Sequence, residues 1–586
     1  MTQDTQQSWT IDELMPGGAA AFDGGIARLE RIAARIEEMR PLCAPGISPD
    51  DFARLLAAVE EFAHAASELQ GYGELWFSGD MLHQEALAFL GRVEQVAADL
   101  GNRVLFFSLW WRALDDADAA RLMEHAGDLR YFLAKERLMS PHTLSEPEEK
   151  VVNLKDVNGV HALIKVYDLI TNKFSFTLEV DGETKTLTRD ALAAYVRHPS
   201  PQIRAAAYRE QYRPYRAEAA VLGQIYVNRA RDWAGEQLSL RAFRTPIDVR
   251  NLANDIPGEV VSTLLGVCEE EAAVFQRYFR RKAEWLGTAR LARFDLYAPV
   301  SGKSERRIPF GEAVDTVMEG FSRFSGEAAT LARRVFESRH IDSEVRTGKR
   351  GGAFCYSVAP QRVPWVLVNY TGEPREVATL AHELGHAIHS LLARGHSVLN
   401  FQAPLPLAET ASVFSEMLLT DLLLERETDT AARRDMIAAQ LDDIYATVLR
   451  QAFFVLFERR AHQMAAQGAT IDEMSAAYLE NLAAQFGESV EVDEMFRHEW
   501  ITIPHIYHVP FYCYAYSFGM LLSLSLYRRY KEEGAGFVPG FLRLLAHGGS
   551  APPEAILGEA GVDMRDPGFW RGGFRVIEEM IAALDG

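Results

Sequence analysis

The stretch Thr379-Leu380-Ala381-His382-Glu383-Leu384-Gly385-His386-Ala387-Ile388-His389 constrains this chain more than any other part of it. On a helix, His382 and His386 lie one turn apart on the same face, and Glu383 is displaced from them by about 100°. Two imidazoles and a neighbouring carboxylate at this spacing suit a zinc ion and the base that acts on its water. The stretch therefore predicts a catalytic metal site on a helix.

The helix that carries this motif is predicted to be long. Pro374 suits its first turn, and Gly395 suits the position after its C-cap. Gly385 is interpreted as leaving room beside the metal. The remaining faces are apolar, through Leu380, Leu384, Ala387 and Ile388. A chance motif on a buried structural helix is the alternative, but ionisable groups are costly in such a helix unless they are paired or metal-bound.

The motif supplies two ligands, whereas catalytic zinc typically keeps three protein ligands and a water. Zinc proteases with a third histidine need Gly and His three and six residues after the second motif histidine; His389 and Leu392 occupy those positions and exclude that class. An acidic ligand from the next helix, predicted from Leu407 to Glu425, is the alternative. Glu409 is the first acidic residue after the motif, and Glu416 shares its helical face. The residues alone leave both open.

Charge and cysteine content narrow the class of function. The chain has 586 residues, 82 of them acidic and 61 basic, with a formal charge of −21. A protein that depends on phosphate contacts is therefore not expected, and neither is a nucleic-acid partner. The four cysteines lack metal-ligand spacing and suit a reducing compartment. The N-terminus lacks a secretory pattern, and the apolar runs are too short to span a bilayer, so we expect a cytoplasmic protein with no membrane association.

The N-terminal part is predicted to be helical. Apolar residues recur every three or four positions in four segments: 24–40, 51–69, 73–100 and 117–138. An aromatic run, Phe106, Phe107, Trp110 and Trp111, is interpreted as core. Ser145 and Glu148 predict a capping box at a further helix start. These segments indicate a region built from long helical hairpins.

Strand signals are few. Asp181-Gly182 between residues 174–180 and 183–187 predicts a hairpin, and residues 293–298 resemble a short strand. Segments 349–356 and 364–370 are β-rich, are expected to pair, and run into the motif helix, where a peptide could add as a further strand. Ser200-Pro201 predicts the start of a long helix to about Glu236. We place a boundary just before it, giving a helical N-terminal region, 1–195, and a catalytic domain, 196–586.

Several segments together resemble one family. They are 381–389, Ala408-Glu409-Thr410-Ala411-Ser412 with Glu416, the later segment 503–516, and Pro141-His142-Thr143-Leu144-Ser145. In this combination the chain resembles the oligoendopeptidase F family of zinc metallopeptidases, relatives of thimet oligopeptidase and neurolysin. The resemblance implies a mainly α, neurolysin-like gluzincin fold, with helices enclosing a deep channel and a small β element beside the zinc helix. It also implies one zinc ion per chain and short unstructured oligopeptides as substrates.

The resemblance also implies roles for individual residues. Glu409 becomes the third zinc ligand beside His382 and His386, and Glu416 becomes outer support. In the thimet-like relatives, a histidine and tyrosines of the matching segment contact the substrate and the developing oxyanion. His508, Tyr512 and Tyr516 match those positions, whereas His505 and Tyr514 stay ambiguous because the spacing differs by about one residue from the thimet-like branch.

The expected reaction is hydrolysis of peptide bonds by a zinc-activated water, with Glu383 as general base and proton carrier. A tyrosine hydroxyl or His508 is expected to assist zinc in stabilising the oxyanion. His389 has either an orienting or a purely structural role. The alternatives are a peptidyl carboxypeptidase of the same fold and a non-catalytic peptide-binding protein with a closed, four-ligand zinc site.

Overall fold

The computed structural model describes residues 6–300 and 307–584. The chain is mainly helical, with short strands. It divides into two compact units that interleave along the sequence. The first unit comprises Met1–Thr143, Arg306–Leu423 and Arg529–Asp563, and the second comprises Leu144–Glu305, Leu424–Arg528 and Met564–Gly586. The boundary predicted at residue 195 falls inside the second unit, and the division into an N-terminal region and a catalytic domain stays a prediction.

The first unit contains the motif and most of the long N-terminal helices. Its α-helices are Phe22–Glu38, Pro49–Gly79, Gln84–Val104, Phe106–Ala113, Asp116–Met123, Arg130–Leu138, Phe310–Phe324, Gly326–Glu337, Pro374–Leu392, Leu405–Ala408, Thr410–Arg426, which continues into the second unit, Val538–Ala546 and Pro553–Glu559. Short 3-10 helices lie at Gly18–Ala21, Arg40–Leu42, Gly127–Leu129, Ser140–His142, Ala393–Gly395 and Gly534–Gly536.

The predicted helical segment 73–100 is wrong in two respects: its first residues continue the preceding helix, and a break at residues 80–83 interrupts it. Pro49–Gly79 is continuous, and the break falls after it, where the Met81 N–H donates to the Gly348 carbonyl at 2.6 Å. Gly71 lies inside this helix, and a Cβ there would approach the Val358 side chain to 2.6 Å. Gly71 is therefore a site of close packing inside a continuous helix.

The aromatic run belongs to the core of the first unit, as predicted. Phe106, Phe107 and Trp111 are buried, and Trp111 Nε1 donates to the Leu133 carbonyl at 2.8 Å. Trp111 also stacks on Phe52, which lies in the first turn of the helix Pro49–Gly79. Burial of such large rings is the main favourable contribution to packing here.

A three-stranded sheet of Ile341–Asp342, Phe354–Tyr356 and Trp365–Leu367 packs against the motif helix. Trp365–Leu367 is central, parallel to Ile341–Asp342 and antiparallel to Phe354–Tyr356, with Cys355 opposite Val366. The predicted pairing of the two β-rich segments is confirmed. Phe354–Tyr356 forms one edge of this sheet.

The second unit is also helical. Its α-helices are Glu146–Asn158, Val160–Asn172, Arg189–Ala193, Pro201–Ala217, Ala219–Trp233, Asp248–Asn254, Gly258–Glu270, Ala272–Trp285, Thr430–Thr447, Leu449–Ala466, Ile471–Phe486, Pro504–His508, Tyr514–Glu533, which continues into the first unit, and Pro567–Ala583. A π-helix lies at Ala234–Leu240, and 3-10 helices lie at Ala194–Arg197, Arg293–Asp295 and Glu494–Thr502. Its strands are Phe176–Val180, Glu183–Leu187, Leu291–Ala292 and Val490–Glu491.

Local signals in the second unit are mostly confirmed. The hairpin pairs Phe176 with Leu187 around a turn in which Asp181 and Gly182 have positive φ. The Ser145 capping box forms, and a helix starts at Pro201, but that helix ends at Ala217 instead of reaching Glu236.

The predicted strand at 293–298 is wrong. Only Leu291–Ala292 is extended, and Arg293–Asp295 forms a 3-10 turn. Both charged residues of this turn are buried: Arg293 donates to Glu499, and Asp295 accepts from Arg204. Pairing of these buried charges outweighs strand propensity, because an unpaired buried charge is very costly.

Among the described residues, no helix is both long and apolar enough to cross a membrane.

Candidate metal centre and active site

The motif helix, Pro374–Leu392, begins as the sequence predicts. Pro374 occupies its first turn, and Glu373 and Glu376 form a capping box. The Glu376 carboxylate also accepts from the Thr371 and Gly372 backbone N–H groups at 2.7 and 2.9 Å. Capping of this kind satisfies amides that a helix start leaves unpaired. The helix is therefore anchored at its start, two turns before the motif.

Three side chains bring one donor atom each to a single point. His382 Nε2 and His386 Nε2 lie 3.2 Å apart, and Glu409 Oε2 lies 3.3 Å from the first and 3.6 Å from the second. Tetrahedral zinc at ordinary bond lengths needs ligand atoms about 3.3–3.5 Å apart. The triangle therefore has the size that one tetrahedral ion requires, and these residues form a group able to hold a metal ion.

Glu409 lies at a break between two helices, which corrects the predicted continuous helix 407–425. Leu405–Ala408 ends before it, and Thr410–Arg426 starts after it. Ser412 Oγ donates to Glu409 Oε2 at 2.8 Å and to the Glu409 carbonyl at 3.1 Å. Burial by itself would raise the pKa of Glu409, but hydrogen bonding to His382 and the nearby histidines lower that pKa to about 2. Glu409 is therefore an ionised donor.

Glu416 contacts the other nitrogen of the same imidazole. Its Oε1 lies 2.5 Å from His382 Nδ1, while His382 Nε2 faces Glu409. Burial lowers the pKa of His382, but the two carboxylates outweigh this and raise the pKa well above its ordinary value. The two carboxylates therefore favour positive charge at the His382 ring. Glu416 also orients that ring, as outer carboxylates do in metal sites.

Glu383 is buried, with 6 % of its surface exposed. Burial raises the pKa of its carboxyl to about 7, although the neighbouring His382 works against the shift. A general base is most effective when its pKa lies near the working pH. Glu383 therefore has the environment of a proton acceptor.

His386 and His389 are both neutral. Burial lowers the pKa of each to about 4, and a hydrogen bond to the Ala408 backbone opposes the shift in both cases. A neutral imidazole is the form that binds a metal. Because Ala408 directly precedes Glu409, both histidines also interact with the segment that carries the third donor.

From the sequence, Gly385 is interpreted as leaving room beside the metal, but in the structure Gly385 leaves room for a neighbouring helix. A Cβ on Gly385 would come within 2.7 Å of Ser412 Cα and 2.8 Å of the Ala411 carbonyl oxygen. Both atoms belong to the backbone of the helix that follows Glu409, so they cannot move aside as a flexible side chain would. Gly385 thus gives room to the neighbouring helix, which brings Glu409 to the histidines.

We expect Gly385→Ala to push these two helices apart. The substitution should reduce the free energy of unfolding by about 1–3 kcal/mol, as overpacking does, and weaken metal binding by about 10–100-fold, as loss of ligand positioning does. Thermal unfolding and competition with a metal chelator measure the two effects. Gly91→Ala is the matched control, because Gly91 also lies in a helix but a Cβ added there would meet no neighbour within 4 Å. Equal behaviour of the two variants would contradict the packing role.

In the second unit, three rings of the aromatic segment contact one another. His505 stacks on Tyr512 with ring centroids 6.0 Å apart, and Tyr516 packs edge-on against Tyr512 at 5.2 Å. The Tyr516 hydroxyl lies 3.5 Å from His505 Nε2. Tyr512 and Tyr516 are partly exposed, whereas Tyr514 is buried and its hydroxyl accepts from Asn254 at 2.8 Å. Tyr514 is therefore held inside the unit.

His508 has a different partner. Its Nε2 lies 2.9 Å from Asp168 Oδ1, and 42 % of its side chain is exposed. Asp168 is 340 residues away in the chain, so no spacing rule could have identified it. Ser412, by contrast, lies three residues after Glu409, and serine at that distance from an acidic residue is a recognisable local signal.

A helical fold that presents two histidines and a glutamate to one metal position, beside a buried glutamate of raised pKa, defines a metallopeptidase. The family model of Peptidase family M3 matches residues 194–576, and that of Oligopeptidase F matches residues 110–176. The chain belongs to peptidase family M3 and is a metalloendopeptidase. The predicted family, mainly helical fold and enzyme class are confirmed.

Relatives extend over most of the chain. Oligopeptidase PepF from Bacillus subtilis (strain 168) is 24 % identical over 606 residues, covering 99 % of this chain and 87 % of its own. An oligoendopeptidase F homolog from Borreliella burgdorferi is 27 % identical over 431 residues, 72 % of each chain. The crystal structure of oligoendopeptidase-F from Enterococcus faecium superposes with a TM-score of 0.74 at 20 % identity, covering 97 % of this chain and 98 % of that one. This last similarity shows the fold.

Proposed function

We propose that the protein is a zinc-dependent endopeptidase that cleaves short, unstructured oligopeptides. The observation that carries the proposal is the triangle formed by His382, His386 and Glu409, which has the dimensions of three ligands around tetrahedral zinc. The relatives named oligopeptidase and oligoendopeptidase F support the substrate class. The four cysteines all carry free thiols, which supports action in a reducing compartment such as the cytoplasm.

In the proposed reaction, zinc bound at this site would lower the pKa of water and polarise the scissile carbonyl. Glu383 takes the proton from the attacking water and delivers it to the leaving amine. Its pKa of about 7, raised by burial, suits both directions of transfer. Glu409 contributes the negative charge among the ligands, and Glu416 holds the His382 ring by its Nδ1.

We assign Tyr512, Tyr516 and His508 to the substrate and to the developing oxyanion. The support is the family resemblance of their segment, together with the partial exposure of all three side chains. Tyr514 has no such role in the proposal, because it is buried and bonded to Asn254. Hydroxyl and imidazole donors suit a charge that forms only during the reaction.

The sheet edge Phe354–Tyr356 is the place where we propose that the peptide backbone binds. This strand packs with the motif helix, and the charge of Glu383 is among the causes that raise the pKa of the Cys355 thiol, after burial. An extended peptide can pair with such an edge through main-chain hydrogen bonds, largely independently of its sequence. This mode of binding suits substrates without fixed structure.

Cleavage of an internally quenched peptide with an amidated C-terminus tests the proposal. We expect cleavage within the peptide, loss of activity with a chelator, and recovery when zinc is added back. The same peptide with a free C-terminal carboxylate serves as the comparison. A peptidyl carboxypeptidase would cut this free-acid peptide and leave the amidated peptide intact. Binding of the peptide without cleavage would support the non-catalytic alternative and contradict the proposed function.

A further inference from the structure

Phe511 has an unusual backbone conformation. Its φ is +59°, in the left-handed region, although it is a bulky residue and not glycine. The side chain is fully buried, and its ring packs on His462 with centroids 4.8 Å apart. A left-handed conformation is unfavourable for a residue with a Cβ, so surrounding contacts must hold it in place.

Glu458 supplies the contact at the backbone. Both of its carboxyl oxygens lie 3.0 Å from the Phe511 nitrogen, and the N–H of Phe511 donates to them. Glu458 belongs to the helix Leu449–Ala466 and is itself completely buried. Burial raises the pKa of its carboxyl to about 8, opposed by the Phe511 bond and by the charges of Arg229 and Arg250.

Burying the carboxyl group of Glu458 is energetically unfavourable, which indicates that the group has a specific structural role. Its neighbour His462, one turn further along the helix, is buried and neutral, with a pKa lowered by burial to about 3. Neither ring nitrogen of His462 has a hydrogen-bond partner among the described residues, and Nε2 lies 3.9 Å from Glu458. In this buried environment, Glu458 accepts a hydrogen bond from the main-chain N–H of Phe511.

Tyr512 directly follows Phe511, so the conformation of Phe511 sets where the Tyr512 ring lies. Phe511 lies between the helices Pro504–His508 and Tyr514–Glu533, and the turn there returns the Tyr512 ring onto His505. On the neighbouring helix Asp248–Asn254, Arg250 Nε lies 3.4 Å from the Pro510 carbonyl. The turn is thus held from two sides.

We propose that Glu458 is a positioning residue: by binding the Phe511 N–H it holds the left-handed turn that places Tyr512 for the substrate. The inference rests on the proposed function, because it takes Tyr512 to contact the substrate. The property that matters for this role is the length of the Glu458 side chain, which brings an acceptor oxygen to the Phe511 N–H; its charge is not required.

Two conservative substitutions separate reach from charge. Glu458→Gln keeps an oxygen at the same distance, so its kcat should stay close to that of the unaltered protein. Glu458→Asp keeps the carboxyl group but shortens the side chain, so kcat should fall by about 10–100-fold, as small misplacements of a reacting group do. KM and metal content should change little. Assays are run where the circular dichroism of both variants matches the unaltered protein, and Glu488→Gln, at an exposed position, is the control.

The double variant Glu458→Asp/Tyr512→Phe completes the test. If Glu458 acts through Tyr512, the double variant should be no slower than the slower single variant. The positioning role alone would be overturned if the kcat losses of the two single variants multiplied in the double variant. It would also be overturned by a low kcat for Glu458→Gln together with a normal kcat for Glu458→Asp. A normal kcat for Tyr512→Phe would instead overturn the role of Tyr512 in the proposed function, and the inference with it. Normal kcat in Glu458→Asp, with Tyr512→Phe impaired, also overturns the inference.

Discussion

Glu383→Gln is expected to lower kcat by roughly 10³-fold, within the range of about 10²–10⁴ that general acid–base catalysis supplies. The glutamine amide has nearly the same shape as the carboxyl group but cannot accept a proton from water. Glu383 is not among the three donors that face the metal position, so metal content should remain one ion per chain. Quenched-peptide kinetics and elemental analysis of the purified protein measure the two quantities.

The control for this substitution is Glu94→Gln, an exposed position on the helix Gln84–Val104, which should leave kcat unchanged. Equal activity of Glu383→Gln and the unaltered protein would remove Glu383 from the mechanism. Loss of metal in Glu383→Gln would instead show that this residue supports the metal site.

Glu409→Ala is expected to abolish activity by removing a metal ligand. Only the two imidazole donors would remain, so the site would lose its directly bound negative charge as well as one corner of the triangle. Metal affinity should fall by more than the loss of about 10–100-fold that removal of an outer partner causes. Chelator competition gives the affinity, and the quenched peptide gives the activity.

Glu416→Ala provides the comparison for Glu409→Ala. Its carboxylate contacts only the far nitrogen of His382 within the ligand set, so its removal should weaken metal binding by about 10–100-fold and leave measurable activity in excess zinc. If Glu416→Ala lost the metal more completely than Glu409→Ala, the roles of the two glutamates would be exchanged.

The local parts of the site were accessible from sequence because they depend on neighbours in the chain. His382, Glu383 and His386 share a helix whose start is marked by Pro374 and a capping box, and helical geometry brings the two histidines together without any tertiary contact. The hairpin at Asp181-Gly182 is a similar case, since a positive φ at both turn residues is a local preference.

Other features depend on packing between distant segments. The residues alone could not separate Glu409 from Glu416, and the family resemblance was needed to choose between them. In the structure the two carboxylates face opposite nitrogens of His382, a difference that follows from the helix break at Glu409 and not from their common helical face. The same holds for Arg293, where buried ion pairs replaced a predicted strand by a turn.

The sequence by itself determined that two histidines share one face of a capped helix and that a glutamate lies beside them, and hence the class of chemistry. Only the tertiary structure decided how Glu409 reaches them, because that depends on the backbone of one helix passing within contact distance of Gly385 on another. It also decided that Phe511 adopts a left-handed conformation bound by Glu458. Helix geometry is a property of adjacent residues, whereas close packing and buried hydrogen bonds join residues that the chain separates.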